Sequence, residues 1–247
     1  MLAQLPYCGS PPVPGALLER FNVDARLLLA LALIAAVHIL TASQRTRRVR
    51  AGAGWLIATF ALVSPLCALS VALFAARIAQ HMLLILAAAP LIALGLPGGG
   101  SNLARLRLWC AGAMFLIALW FWHMPRPYEA TFASTWLYWC MHLSLFGSAI
   151  WLWREILQSD HQLAVDVLAV GALSSMQMGL LGAVLTLAGH PLFFPHLTTT
   201  QAWGLTPLED QQLGGVFMWV PGIALFLWAA LRSLERLRES LEEPNST

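Results

Sequence analysis

The sequence predicts an all-α polytopic membrane bundle of about seven transmembrane helices, N-terminus outside and C-terminus cytoplasmic. Of its 247 residues 59% are hydrophobic and only 11% are charged, whereas a soluble domain carries about 25% charged residues. Seven stretches, at 26–43, 51–70, 73–97, 106–123, 135–153, 163–188 and 213–231, approach the roughly 20 mostly apolar residues that a bilayer-crossing helix needs. The basic residues are all Arg, and they gather on one side of that arrangement.

Residues 1–25 carry Pro6, Pro11, Pro12 and Pro14 and no apolar run preceded by positive charge. They read as a short extracytoplasmic leader rather than a signal peptide. Residues 26–231 make the membrane domain. Its spans are helices, because a bilayer interior offers no partner to unpaired backbone groups and no stretch alternates as a barrel strand does. Residues 232–247 form a cytoplasmic tail in which Arg and Glu alternate with Leu at helical spacing.

Orientation follows from Arg in the short loops. Arg45, Arg47, Arg48, Arg50, Arg105, Arg107, Arg154, Arg232, Arg236 and Arg238 share one side, whereas the other has Arg20, Arg26 and Arg126. Trp55, Trp109, Trp151, Trp153 and Trp228 fall near inner ends, and Trp120, Trp122, Trp136, Trp139, Trp203 and Trp219 near outer ends, as two aromatic belts would. No internal repeat of the kind that builds transporters is visible. Cys8, Cys67, Cys110 and Cys140 form no CxxC pair. They suggest neither a zinc site nor a disulfide framework, and read as small apolar fillers.

Depth separates the histidines. At about 1.5 Å per residue, His81 and His142 lie roughly 10–15 Å below the outer surface, and His123 closer to it. His190 and His196 belong to the outer loop, and His38 and His161 to the inner side. A lone buried His commonly serves a helix–helix hydrogen bond, but ionisable residues at membrane depth are rare and usually functional. Met141 adjoins His142, and Met218 lies near the outer end of the last span. A Met can be a plain gap-filler, or with imidazole it can form a soft set suited to Cu(I). Arg77 precedes His81 by one turn on the same face. Two readings stay open for it: snorkelling to the headgroups, or facing a carboxylate, with Asp210 nearest in depth. Asp166 and His38, both on the inner side, form a candidate structural pair. Pro65, Pro90 and Pro221 are candidate kinks.

Four segments together resemble the polytopic CtaG-type family, the assembly factors of caa-type cytochrome c oxidases. They are Q-H-M-L-L-I-L-A-A-A-P-L-I-A-L-G-L-P at 80–97, W-H-M-P-R-P-Y at 122–128, the helix from His142 to Trp153, and E-D-Q-Q-L-G-G-V-F-M-W-V-P-G at 209–222. The resemblance implies a bacterial inner-membrane protein, without catalytic turnover, that assists oxidase maturation through copper handling. It implies oxidase subunits or a copper chaperone as partners besides the bilayer. Carried over by position, His81, His123, His142 and Asp210 are the functional candidates, with Met141 and Met218 added as soft ligands. Family members often have a second His one turn before the first and third of these histidines. Here those places hold Arg77 and Tyr138, and an Arg repels a cation. The alternative is a membrane cytochrome with His81 and His142 as haem ligands; few intramembrane charges argue against a transporter. No phosphate loop, nucleophile–base pair or nucleic-acid surface is visible.

Overall fold

A computed structural model describes residues 5–97, 103–159 and 161–242, and every regular element among them is helical. In order these are α1 (Ala25–Thr41), α2 (Arg45–Val63), α3 (Pro65–Ala72), α4 (Phe74–Met82), a π-helical segment (Leu83–Ala88), α5 (Ala89–Gly95), α6 (Ala104–Trp122), α7 (Pro125–Ala133), α8 (Thr135–Gln158), α9 (Ala164–Leu187) and α10 (Pro207–Glu242). Each of the seven apolar stretches coincides with helix. Four helical rods are long and apolar enough to cross a membrane: Phe74–Gly95, Ala104–Trp122, Ala164–Leu187 and Pro207–Ala229. The number becomes five if Arg45–Val63 and Pro65–Ala72, bent by 49°, count as one span. α1 has only 17 residues, and α8 is long but not apolar enough. Length and apolarity among the described residues thus show four or five of the seven spans the sequence leads one to expect.

Leu33, Val37, Leu56, Phe60, Ile117 and Leu143 point outward from four helices. A bundle apolar on its exterior as well as its core has lipid as its solvent; this is a membrane protein.

Arginines gather at one end of the bundle, and the leader docks at the other. At the arginine end, Arg47 donates to the Leu96 carbonyl (3.2 Å), Arg48 to Ala42 (2.8 Å) and Arg154 to Pro97 (3.1 Å). These carbonyls sit at or just beyond helix C-termini, where cations are favoured. The suggested Asp166–His38 pair is not formed. Asp166 takes Arg105 and the Trp109 indole, each at 3.0 Å, and His38 Nδ1 accepts from Trp55 at 3.0 Å. In the tail Arg232 meets Glu235 at 3.5 Å; the Arg236 side chain and residues 243–247 lie outside the described residues.

At the leader end, residues 5–24 are docked and covalently stapled. Cys8 and Cys67 form a disulfide, which corrects their reading as apolar fillers. Cys110 and Cys140 are free. Asn22 donates its amide N–H to the Val63 carbonyl (2.8 Å) and its side chain to Leu62 (3.4 Å), closing the C-terminus of α2.

Two prolines shape the interior around His81. Pro65 has no N–H for the carbonyl four residues back, so Ala61 loses its helical donor; the Gln80 side chain supplies one at 2.8 Å. In the π-helical segment the Ala89 N–H bonds to Leu84, one residue further back than in an α-helix. The donor for Ile85 would then be Pro90, which has none. The Trp153 indole N–H fills that place at 2.8 Å. Trp153 is therefore interior, 1% exposed, and Trp122 is also buried. Neither is the belt residue its position in sequence suggests.

The 209–215 segment builds the junction of α4, α9 and α10. Thr206 and Glu209 cap α10 reciprocally: the Thr206 amide donates to Glu209 at 2.8 Å, and the Glu209 amide to the Thr206 hydroxyl at 3.2 Å, a capping box. Asp210 accepts from the Phe74 and Ala75 amides (2.7 and 3.0 Å) and so caps α4 from another helix. Gln211 accepts from the Leu192 amide at 2.6 Å and donates to Leu185 at 3.2 Å, pinning the following loop. Small residues then let α9 and α10 touch; a Cβ on Gly182 would lie 2.7 Å from the Cβ of Trp219.

Candidate functional site

His81, His123 and His142 arrive from α4, the C-terminal cap of α6 and α8. The structure brings them together, each no more than 3% exposed. The His81 ring lies 5.5 Å from His123 and 5.3 Å from His142, centre to centre, both edge-on. Proton positions follow from the backbone. His123 Nδ1 meets the Leu119 carbonyl at 2.7 Å, and His142 Nδ1 meets that of Tyr138 at 3.0 Å. A carbonyl can only accept, so each Nδ1 carries its hydrogen, and the neutral ring keeps a lone pair on Nε2. Both Nε2 atoms, and both nitrogens of His81, are buried without a partner. Buried polar atoms are nearly always satisfied, so four open nitrogens in one place make this group the candidate site. The π-helical segment begins two residues after His81, and such segments recur at functional sites.

As they stand, no three His, Cys, Asp or Glu side chains among the described residues close around one point as metal ligands. The donor chemistry nevertheless fits a soft or borderline cation, which imidazole lone pairs suit. Met141 and Met218 are fully buried in the main apolar core. A haem between His81 and His142 does not fit: axial imidazoles lie on opposite faces of a macrocycle, and these two rings touch each other directly.

Neither open reading of Arg77 holds. At 1% exposure it does not snorkel, and Asp210 is occupied by α4. Its guanidinium donates to Thr131 Oγ1 at 2.8 Å. It lies 4.2, 5.2 and 5.7 Å from the ring centres of Phe132, Tyr128 and Tyr138. Tyr138 also stacks on Tyr7 of the leader (4.8 Å) and packs on His142 (4.2 Å), and its hydroxyl lies 3.4 Å from the Cys8 sulfur. The disulfide is thus one side chain away from the histidines.

Several contributors were not foreseen in the sequence: Thr131, Phe132, Gln80, and His196 with its hydrogen bond to the Tyr128 hydroxyl (2.7 Å). Burial first, and then the nearby Arg77 charge, pushes the loop residue His196 down to about 3, so its ring is neutral. One signal was available for the disulfide. Cys8 in the leader and Cys67 at the outer end of the second span both belong to the same predicted face.

No curated protein and no solved structure matches the chain. A family model described as "Cytochrome c oxidase caa3 assembly factor (Caa3_CtaG)" matches residues 28–239, which cover all three histidines, Arg77 and Asp210. The chain therefore belongs to the cytochrome c oxidase caa3 assembly factor family.

Proposed function

We propose that this protein assists maturation of a haem-copper cytochrome c oxidase by holding Cu(I) in transit at His81, His123 and His142. The observation that carries the reading is the set of unpartnered ring nitrogens on three histidines that separate helices bring together, with His81 in ring contact with the other two. The backbone carbonyls of Leu119 and Tyr138 hold the hydrogens on Nδ1 and so leave the two Nε2 lone pairs free in advance, which is how contacts behind an imidazole prepare it as a ligand. Cu(I) would draw His123 and His142 in toward His81. The role is carriage, without turnover, and the partners are an oxidase subunit and a copper donor.

The proposal includes a seven-span bundle in a bacterial inner membrane, with the leader outside, the 26–231 segment in the bilayer and the tail in the cytoplasm. The Arg distribution supports this orientation. The Cys8–Cys67 disulfide supports it independently, since such bonds persist on the oxidising side of a membrane.

Deleting the gene and measuring oxidase activity and copper content tests the role. A normal, fully metallated oxidase would sink it. Cu(I) stoichiometry against a competing chelator tests the site: one equivalent is expected, and none in the His81→Ala, His142→Ala double variant. Binding undiminished in that variant would remove these residues as ligands.

A further inference from the structure

We propose that the buried Arg77 and His81 side chains together bind a small, weakly hydrated monovalent anion such as a halide, an inference that goes beyond the copper reading and does not need it. Arg77 is a buried cation without a counter-charge. Among the described residues no ion pair involves it, and its Nε is buried with no partner. Of the carboxylates at this end, Asp210 is committed to the α4 amides, Asp24 to the Tyr7 hydroxyl and the Arg26 amide, and Glu209 to Thr206, and neither Glu19 nor Glu129 forms an ion pair with Arg77. The one acceptor Arg77 has among the described residues, Thr131 Oγ1, is neutral and itself donates to the Tyr128 carbonyl. Three aromatic ring faces offset part of the cost of taking a guanidinium out of water, but burying an unpaired charge costs more than such faces return.

A second orphan stands beside the first. His81 follows Arg77 by four residues, so both project from one face of α4. Neither nitrogen of its ring has a partner, yet a neutral imidazole must carry one N–H. An anion between Arg77 Nε–H and the His81 N–H satisfies both donors and neutralises the guanidinium. It also leaves the second His81 nitrogen with its lone pair directed away from the anion, available to a metal. The Arg that stands where a second His is expected then becomes the holder of an anion rather than a barrier to a cation. Aromatic walls favour an anion that sheds water easily, so bromide and chloride should bind ahead of sulfate.

The test uses full-length, chelator-treated protein in detergent, at constant ionic strength, with gluconate replaced stepwise by bromide. Equilibrium dialysis should find one saturable bromide per chain, competed by chloride and not by sulfate, and melting temperature should rise along the same curve. Arg77→Gln should abolish both effects. If that variant does not fold, Thr131→Val keeps the charge and removes its only acceptor, and should tighten bromide at least threefold. Absence of saturable binding to the wild type, binding untouched by Arg77→Gln, or an unchanged affinity in Thr131→Val would each overturn the proposal. Because no metal is present, failure of the copper reading leaves these outcomes unaffected.

Discussion

At the arginine end, Glu155 holds Arg154 at 2.8 Å and faces Arg107 at 3.6 Å, while Asp166 holds Arg105 at 3.0 Å. At the leader end, Arg77 is more deeply buried than Arg105, Arg107 or Arg154 and has no carboxylate, and His81 has no partner on either nitrogen. The same chain thus matches its charges where they join helices and leaves polar groups unmatched at the buried Arg77–His81 pair. Matched groups fasten the bundle, and the unmatched ones are the candidate ligand-binding groups of the proposed function. Substitutions among the fastening groups should therefore cost stability roughly in proportion to burial, and substitutions among the unmatched groups should cost function instead.

The largest stability effect is expected at the leader staple. The disulfide joins residues 59 apart in sequence; closing a loop of that size is worth about 4 kcal/mol in the chain-entropy account. Cys8→Ser, or reduction with dithiothreitol, should lower the melting temperature. Hydrogen exchange should rise in residues 5–24 and α3 before it rises at the arginine end. Uniform loosening would break the comparison.

Asp210 comes next. It is fully buried and bonds two amides at the start of α4. Asp210→Ala should cost about 3 kcal/mol, since it strips a charged acceptor from two buried donors. Asp210→Asn keeps one acceptor and should lose less than half of that. Equal losses would mean that the charge, not the hydrogen bonding, does the holding. Trp153→Phe follows, at about 1–3 kcal/mol for an orphaned Ile85 carbonyl; unfolding titrations in mixed micelles would measure both. Arg105→Ala should cost less than about 1 kcal/mol, because the arginine is largely exposed and exposed ion pairs contribute little.

These residues also show how far the sequence could be read. The helical class and the position of each apolar stretch followed from composition and run length, which depend only on lipid as solvent. The grouping of His81, His123 and His142 followed from depth along helices, because a rise per residue converts position into height. What height cannot supply is azimuth. Whether Arg77 meets Asp210 or an aromatic cage depends on how α4, α7 and α10 are rotated, and residue spacing does not state that. The span count shows only in part for a related reason: Pro65 splits the second stretch, and α8 uses Trp, Tyr, His and Ser where a membrane-length apolar run was expected. Gln80 and Trp153 were legible in principle. Each supplies the donor that a named proline withholds, so the missing hydrogen bond could have been sought from the sequence.

The smallest expected effect on stability is the most informative one. His81→Leu replaces a fully buried ring with two unpartnered nitrogens by an apolar side chain of comparable volume. Removing unsatisfied polar atoms of this kind is close to neutral or stabilising, so the change should fall within about 1 kcal/mol of zero, on the stabilising side. The same variant should leave cells with oxidase deficient in copper. A drop in both stability and copper content would make His81 another fastening group and erase the difference between the two ends. Unchanged stability with lost copper would establish that this buried position is kept polar, against the interest of the fold, for its ligand.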